Sequence, residues 1–357
     1  MFTDRTFQTI SLNNRSKTAI DLYAGCGAVS EGLKQGGFVV VSAVDNDPIA
    51  CRTYRANHPE VRLYESSIEK VEPKTLLDDL EGRALDLLVV CAPCQPFSSQ
   101  NRSKDKDPRA RLIFESIRFA AVLNPKVIFF ENVPGLATPR FRHILDRLRK
   151  ELRKVGYTLG KPHTIDAADY QVPQRRVRCV MFASHAVKRF PSIPAPLSPA
   201  GNRVTVREAI GNFPRLKSGE ADPNDPMHFA RRHSSLALRR LSYIPKNGGD
   251  RFSLPDNLVL PCHRHHRGHP DVYGRMRWED ISPTLTTGCT DITRGRFGHP
   301  EDDRAITLRE AATLQTFPRT YQFIGNSSRI ATQIGNAVPV KLVEALCLEI
   351  SKHLEKT

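Results

Sequence analysis

The sequence predicts an α/β protein built on a doubly wound, mostly parallel sheet, and three observations lead there. Apolar runs without polar alternation recur at residues 18–23, 38–44, 85–91 and 126–130, as strands covered on both faces require. Helical patterns separate these runs. Turn-forming or reactive residues then sit just past their C-terminal ends, at Gly25-Cys26-Gly27, Asp45, Cys94 and Glu131-Asn132. In an open parallel sheet that edge holds the ligand crevice.

The elements follow in order. A strand at 18–23, a glycine-containing turn, a helix at 29–35 and a strand at 38–44 make a βαβ unit. Residues 48–56 suit a helix because Pro48 is tolerated in a first turn, where its missing N–H has no intrahelical partner. A short strand is expected at 61–64 and a helix at 68–80. The next strand leaves the sheet through Ala92-Pro93-Cys94-Gln95-Pro96, where a proline on each side stiffens the backbone and presents the Cys94 thiol in one geometry. After the polar, basic stretch 98–109 come a helix at 111–123 and a strand at 126–130 that runs into Glu131-Asn132-Val133-Pro134. An amphipathic helix is expected at 141–154, and strands at 157–165 and 177–183 bracket Gln174-Arg175-Arg176. From 186 to 304 proline, glycine, arginine and histidine dominate with little periodicity, which predicts a loop-rich second domain. Helical patterns resume at 308–315 and 338–353 and are expected to return to the first domain. The domains are therefore expected at 1–185 plus 307–357, and at 186–306.

Composition narrows the function. Lys and Arg number 53 against 38 acidic residues in 357, a formal charge of +15 that points to a polyanionic partner, nucleic acid first. The eight cysteines are scattered, and Met1-Phe2-Thr3-Asp4-Arg5 does not open a signal peptide, so reduced thiols in a cytoplasm are expected. No apolar stretch reaches the roughly 18 residues of a membrane span. Cys91 and Cys94 form a Cys-x-x-Cys, but Cys91 closes an apolar run and reads as a small core hydrophobe rather than half of a redox pair. Cys262-His263-Arg264-His265-His266-Arg267-Gly268-His269 has no second ligand cluster at finger-like spacing. It reads as a basic, DNA-facing loop, and no metal is expected.

The chemistry gathers at the strand ends. Glycines at 25 and 27 let a ligand approach the backbone, and a carboxylate about 20 residues on can accept from ribose hydroxyls. The same spacing serves nicotinamide and flavin cofactors, or a purely structural turn. If the Cys94 strand lies beside the first strand, ligand and thiol share one crevice, and Glu131 follows one strand further, about 4.8 Å away. A carboxylic acid beside a thiolate fits protonation of a ring while sulfur attacks it.

Together these residues resemble the S-adenosylmethionine-dependent DNA (cytosine-5) methyltransferases of bacterial restriction-modification systems. Asp21-Leu22-Tyr23-Ala24-Gly25-Cys26-Gly27 is similar to the family's cofactor motif, Asp45 to its acidic motif, Pro93-Cys94-Gln95 to the nucleophile motif and Glu131-Asn132-Val133 to the acid motif. Gln174-x-Arg176-x-Arg178, Arg309-Glu310 with Leu314-Gln315 and Phe317-Pro318, and Gln333-Ile334-Gly335-Asn336-Ala337-Val338-Pro339 resemble the rest. The resemblance covers the chain outside roughly 186–280. It implies S-adenosylmethionine bound by Tyr23, Ala24, Gly25, Cys26, Gly27, Asp45, Asn46, Ser67, Ile68, Pro93, Asn336 and Val338. Ala28 and Ser67 depart from a frequent glycine and a frequent acidic residue, and Tyr23 replaces a more usual phenylalanine.

By the same resemblance Cys94 adds to carbon 6 of a flipped cytosine, Glu131 protonates the ring nitrogen, Arg178 orients the base, and Arg176 holds the loop and the glutamate. Residues 98–111 resemble a mobile catalytic loop. Gln95, Ser98, Ser99, Arg109, Thr284 and Leu285 are the implied DNA contacts, with Arg275, Arg277, Arg294 and Arg296 around the last two. The implied partner is double-stranded DNA in the nucleoid, bound by a monomer, and a cognate restriction endonuclease is left open. An RNA (tRNA) cytosine-5 methyltransferase and a catalytically silent DNA-binding protein are the alternatives. The long basic insertion favours duplex DNA over the first, and the presence of Cys94, Glu131 and Arg178 disfavours the second.

Overall fold

The computed structural model describes residues 16–98, 107–185, 190–198, 201–264, 268 and 270–356. Along the chain it forms β1 (Lys17–Leu22), α1 (Ala28–Gln35), β2 (Phe38–Asp45), α2 (Pro48–Asn57), β3 (Arg62–Glu65), α3 (Pro73–Asp79), β4 (Leu87–Val90), α4 (Glu115–Leu123), β5 (Val127–Asn132), α5 (Arg142–Lys154), β6 (Tyr157–Leu159), β7 (His163–Asp166) and β8 (Val177–His185). There follow α6 (Val206–Ile210), β9 (Ala221–Asp222), β10 (Asp225–Phe229), α7 (Ser235–Tyr243), α8 (Leu308–Leu314), α9 (Ser327–Asn336) and α10 (Val340–Leu354).

Strands β3-β2-β1-β4-β5 pair in parallel, and β8, antiparallel to β5, carries β6 and β7 along its far edge. The mostly parallel, doubly wound sheet is thus as expected. Strand order reverses between β1 and β4, which opens the crevice there. Alternate residues of each central strand feed different cores. Leu88 and Val90, with Ile128 and Phe130, pack with α3, α4 and α5 on one face. Leu87 and Val89, with Val127 and Phe129, pack with α1 and α10 on the other. Because both faces are covered, the strands read as unbroken apolar runs.

Several elements differ from the sequence reading, each for a local reason. The helix expected at 68–80 is a 3-10 turn at Ile68–Lys70 followed by α3, because Pro73 cannot continue a helix and instead starts one. Likewise α4 is preceded by a 3-10 stretch, Pro108–Phe114. The single strand expected at 157–165 is β6 and β7, interrupted at Gly160-Lys161-Pro162, where Pro162 has no N–H to give a ladder. Helix α9 was not foreseen. Its start is polar, Asn326 capping the Arg329 N–H at 3.0 Å, and its apolar face is only Ile330, Ala331 and Ile334.

Residues after 200 build two further cores. Leu241, Ile244, Leu258, Tyr273 and Ile292 form one. The other joins Met276, Trp278, Leu285 and Phe297 to α8, α9 and the first glycine turn through Cys26 and Ala28. Among the described residues, no helix is long and apolar enough to cross a membrane.

Candidate active site

The turn after β1 is held open. Gly25 takes φ 55°, and a Cβ built on it would meet nothing within 4 Å. Its N–H donates to Asp45 Oδ2 at 2.8 Å, while Asp45 Oδ1 accepts the Asp47 N–H at 2.9 Å. Asp45 therefore fastens this turn to the end of β2, and each oxygen keeps a second lone pair for a ligand. Burial raises its pKa, against the two N–H bonds.

The other expected cofactor residues divide. The Ala24 N–H is tied to the Val44 carbonyl at 3.0 Å. Tyr23, half-buried at φ 65°, donates its hydroxyl to the Leu112 carbonyl at 2.6 Å. Asn46 and Asn336 are exposed, and Ser67 and Pro93 are half-buried. By contrast, Ile68 and Val338 are core residues, and the Cys26 side chain packs into the third core, where burial raises its thiol to about 12.

Pairing of β1 with β4 and of β4 with β5 brings the turn, Cys94 and Glu131 to one sheet edge. Two contacts fix the Cys94 loop. Asn132 Nδ2 donates to the Ala92 carbonyl at 3.0 Å, and Gly135 leaves no room for a side chain against the Phe97 carbonyl, 1.9 Å from an added Cβ. The pairing Glu131↔Val180 sets Arg178 beside Glu131, with Nε 2.8 Å from Oε1. Burial pushes the Cys94 thiol up, the Glu131 charge pushes it further, and Arg178 and Arg176 oppose both. Burial likewise raises Glu131 against the pull of the two guanidiniums. A carboxyl and a thiol that each hold a proton more tightly than usual thus lie in the same field. Cys91 is half-buried, its thiol raised well above its ordinary value, and all eight cysteines are free.

Arg176 was expected to hold the loop and the glutamate, and its guanidinium ties three loop and helix-end carbonyls. Its Nη1 donates to the Leu285 carbonyl at 3.0 Å, and Nη2 to the Gly335 and Ala337 carbonyls at 2.9 and 2.8 Å. Those carbonyls lie at a loop and at the end of α9, where no ladder satisfies them. The guanidinium holds these segments by hydrogen bonds, and its charge also acts on Glu131. Gln174 and Gln315 complete the junction, bonded to each other at 3.0 Å, with Gln174 accepting the Leu285 N–H and Gln315 donating to the Ile334 carbonyl at 2.7 Å. Gln174, Arg176 and Gln315 are therefore one buried hydrogen-bonded knot.

The expected DNA contacts fare unevenly. Gln95 is exposed, Ser98 half-buried, and exposed Arg109 is paired with Asp107 at 2.7 Å. Ser99 and 100–106 of the loop lie outside the described residues. Thr284 is exposed, its hydroxyl donating to the Arg175 carbonyl at 2.6 Å. Leu285, however, is 1 % exposed and packs in the third core, so its side chain faces away from solvent.

Of the surrounding arginines, Arg275 is fully buried and donates to the Leu241, Ile244, His299 and Asp302 carbonyls and to the Asp303 carboxylate. Arg296 bonds Asp271 and the Gly248 carbonyl. Arg277 is exposed, and the Arg294 side chain is largely so. Part of the 262–269 cluster lies outside the described residues, and among the described residues no group of three or more Cys, His or acidic side chains is placed to hold a metal.

Residues that sequence reasoning left without a role include Asp47, which caps α2 through Oδ1, and Asp21, the buried β1 carboxyl that accepts the Ser30 hydroxyl at 2.8 Å and is raised to about 7. Asp47 ahead of Pro48 was the readable signal. Asp21 had none beyond its motif.

Comparison with known proteins gives the family and the fold. The family model for C-5 cytosine-specific DNA methylases matches residues 17–352. Type II methylase M.HgiDII of Herpetosiphon aurantiacus is 37% identical over 345 residues, covering 94% of this chain and 95% of that protein. Type II methyltransferase M1.HphI of Haemophilus parahaemolyticus is 33% identical, covering 94% and 87%. Among solved structures, an Escherichia coli prophage protein described as a DNA modification methyltransferase superposes with TM-score 0.75 at 21% identity, covering 96% of this chain and all of that one. S. pombe Dnmt2 methyltransferase gives 0.63 at 21%, covering 95% and 99%. At those identities the likeness is one of fold.

Proposed function

This chain belongs to the C-5 cytosine-specific DNA methylases, a DNA (cytosine-5) methyltransferase akin to the Type II enzymes of restriction-modification, and from that membership we propose how its residues act. The juxtaposition of Cys94 with the Glu131–Arg178 pair carries the reading.

The open turn fits S-adenosylmethionine. Gly25 faces free space, Asp45 retains lone pairs for ribose hydroxyls, and exposed Asn46 and half-buried Ser67 flank the same strand ends. When bound, that cofactor supplies an electrophilic methyl group on a sulfonium. Tyr23, Gly25, Asp45 and Pro93 are the residues that would hold it at the β1/β4 crevice.

The target cytosine is flipped out of duplex DNA, because its reacting carbon lies inside the base stack. Cys94 loses its proton and its sulfur bonds to carbon 6, while protonated Glu131 donates to ring nitrogen 3 and neutralises the charge pushed into the ring. Carbon 5, now electron-rich, takes the methyl group. A base, water or hydroxide, takes the carbon-5 proton, the carbon–sulfur bond breaks to restore the Cys94 thiolate, and ring nitrogen 3 returns its proton to Glu131. Arg178 holds Glu131 and the base edge in register, and Arg176, through Leu285, Gly335 and Ala337, keeps the recognition segment closed on the crevice. Residues 186–306 serve as the target-recognition domain, with Thr284, Arg277 and Arg294 facing DNA and Gln95, Ser98 and Arg109 near the flipped base. The enzyme acts as a monomer on nucleoid DNA in the cytoplasm and protects the sites of a cognate endonuclease.

Bisulfite sequencing of unmethylated genomic DNA treated with the protein and S-adenosylmethionine tests this. Conversion-resistant cytosines at one short motif, absent with Cys94→Ser, are expected. Methylation that persists in Cys94→Ser, or that appears on tRNA and not on DNA, overturns it.

A further inference from the structure

Behind the glycine turn lies a buried polar relay that the transfer chemistry does not use. Tyr321, between α8 and α9, donates its hydroxyl to the Cys26 carbonyl at 2.6 Å. His58, just past α2, places Nε2 3.1 Å from the Gly27 carbonyl and 3.1 Å from the Tyr321 hydroxyl. Both side chains are buried. The other ring nitrogen, Nδ1, faces Lys34 Nζ at 3.4 Å, and Lys34 pairs with Glu60 at 2.7 Å. An ammonium only donates, so it selects the tautomer in which Nδ1 accepts and Nε2 carries the hydrogen. That hydrogen points at the Gly27 carbonyl and the Tyr321 oxygen. Burial and Lys34 push the imidazole down to about 4, and the ring stays neutral at physiological pH.

Packing holds the relay in place. The Tyr321 ring lies 4.8 Å from Phe317 and 5.3 Å from Phe323, and His58 lies 4.9 Å from Tyr54. A Cβ on Gly27 would come within 2.7 Å of both His58 and the Tyr321 hydroxyl, so the turn is seated directly on these two side chains. On its other side, Gly25 faces open space.

We propose that His58 and Tyr321 are positioning residues for cofactor binding, gripping the Cys26 and Gly27 carbonyls from behind so that the turn meets S-adenosylmethionine already ordered. The inference rests on reading this turn as the S-adenosylmethionine site. A turn without the grip must be ordered on binding, and that cost is taken from affinity. Neither residue touches Cys94 or Glu131, so the effect falls on cofactor affinity before it falls on turnover.

The test is calorimetric binding of S-adenosylhomocysteine to the wild type, Tyr321→Phe, His58→Gln and His58→Ala, with melting temperature and the KM and kcat split alongside. Tyr321→Phe is expected to bind about three- to tenfold more weakly, the loss of one buried hydrogen bond. KM for the cofactor should rise in step and kcat change by a smaller factor. His58→Gln, whose amide still donates, should lie closer to the wild type than His58→Ala.

Wild-type binding matched by both Tyr321→Phe and His58→Ala overturns the proposal while leaving the site reading intact. No binding by the wild type overturns the site reading and the proposal with it. Should Tyr321→Phe fail to fold, imidazole nitrogen NMR of the wild type, with His58 identified by its absence in His58→Gln, decides. A hydrogen on Nε2 at neutral pH is expected, and one on Nδ1 overturns the proposal.

Discussion

Two pairs of arginines, each two residues apart, behave in opposite ways. Arg176 and Arg178, at the sheet edge, both act on the field around Cys94 and Glu131. Arg275 and Arg277, in the insertion, part company: the first is fully buried among carbonyls and the second is exposed. The difference lies in what holds the backbone. Arg178 lies on β8, held between β5 and β7, and Arg176 stands just before that strand with its carbonyl accepting the Ala167 N–H at 3.0 Å, so hydrogen-bonded backbone fixes where both side chains point. Around Arg275 there is an isolated bridge to Gly298 and no strand, so spacing says nothing about facing. Identical chemistry in the sequence therefore means a site in one region and a scaffold in the other.

The largest expected effect tests the sheet edge. Cys94→Ser should lower methyl transfer by a factor on the order of 10⁴ or more, the scale of losing a covalent nucleophile, with an unchanged melting temperature. Residual transfer within about a hundredfold of the wild type would detach the edge from the chemistry.

Next comes Glu131→Gln, expected to cost about 10²–10⁴ in kcat as a lost general acid. The same change has a second, opposite sign. Glu131 raises the Cys94 thiol, so its neutralisation lowers that pKa and shifts the rising limb of Cys94 alkylation, followed by mass spectrometry, to lower pH. A limb that stays put would mean the two groups do not share a field.

Arg275→Met should destabilise the fold by about 3–5 kcal/mol, since four backbone carbonyls and a carboxylate lose their donor. Denaturant unfolding measures this. The smallest effect belongs to Arg277→Met, expected within about 0.5 kcal/mol of wild-type stability. Its signature is a slope of log affinity against log salt for duplex DNA that falls by about 1. If instead Arg277→Met unfolds the protein and Arg275→Met weakens only DNA binding, the comparison is reversed.

Legibility followed the same divide. Strands β1, β2, β4 and β5 were readable because burial on two faces leaves an unbroken apolar run, and the residues at their ends stood out against it. The break between β6 and β7 and the whole of α9 were not. Three apolar positions in ten residues make a weak periodic signal, and α9 is helical chiefly because Ile330, Ala331 and Ile334 find a core built by distant segments. The partners of Arg176 were hidden for a related reason: its acceptors, at Leu285, Gly335 and Ala337, are carbonyls, which every residue has and no sequence displays.

What the sequence determined by itself was the chemistry: a thiol at Cys94, an acid at Glu131, a base-rich chain with a glycine turn and Asp45, all placed at strand ends by local burial patterns. Tertiary structure alone decided which charges serve the site and which serve the fold. Burial of Arg275, the inward turn of Leu285 and the meeting of His58 with Tyr321 all depend on pairings across tens to hundreds of residues. Such pairings reflect desolvation and hydrogen-bond satisfaction in the packed chain, quantities that do not exist until the chain has closed on itself.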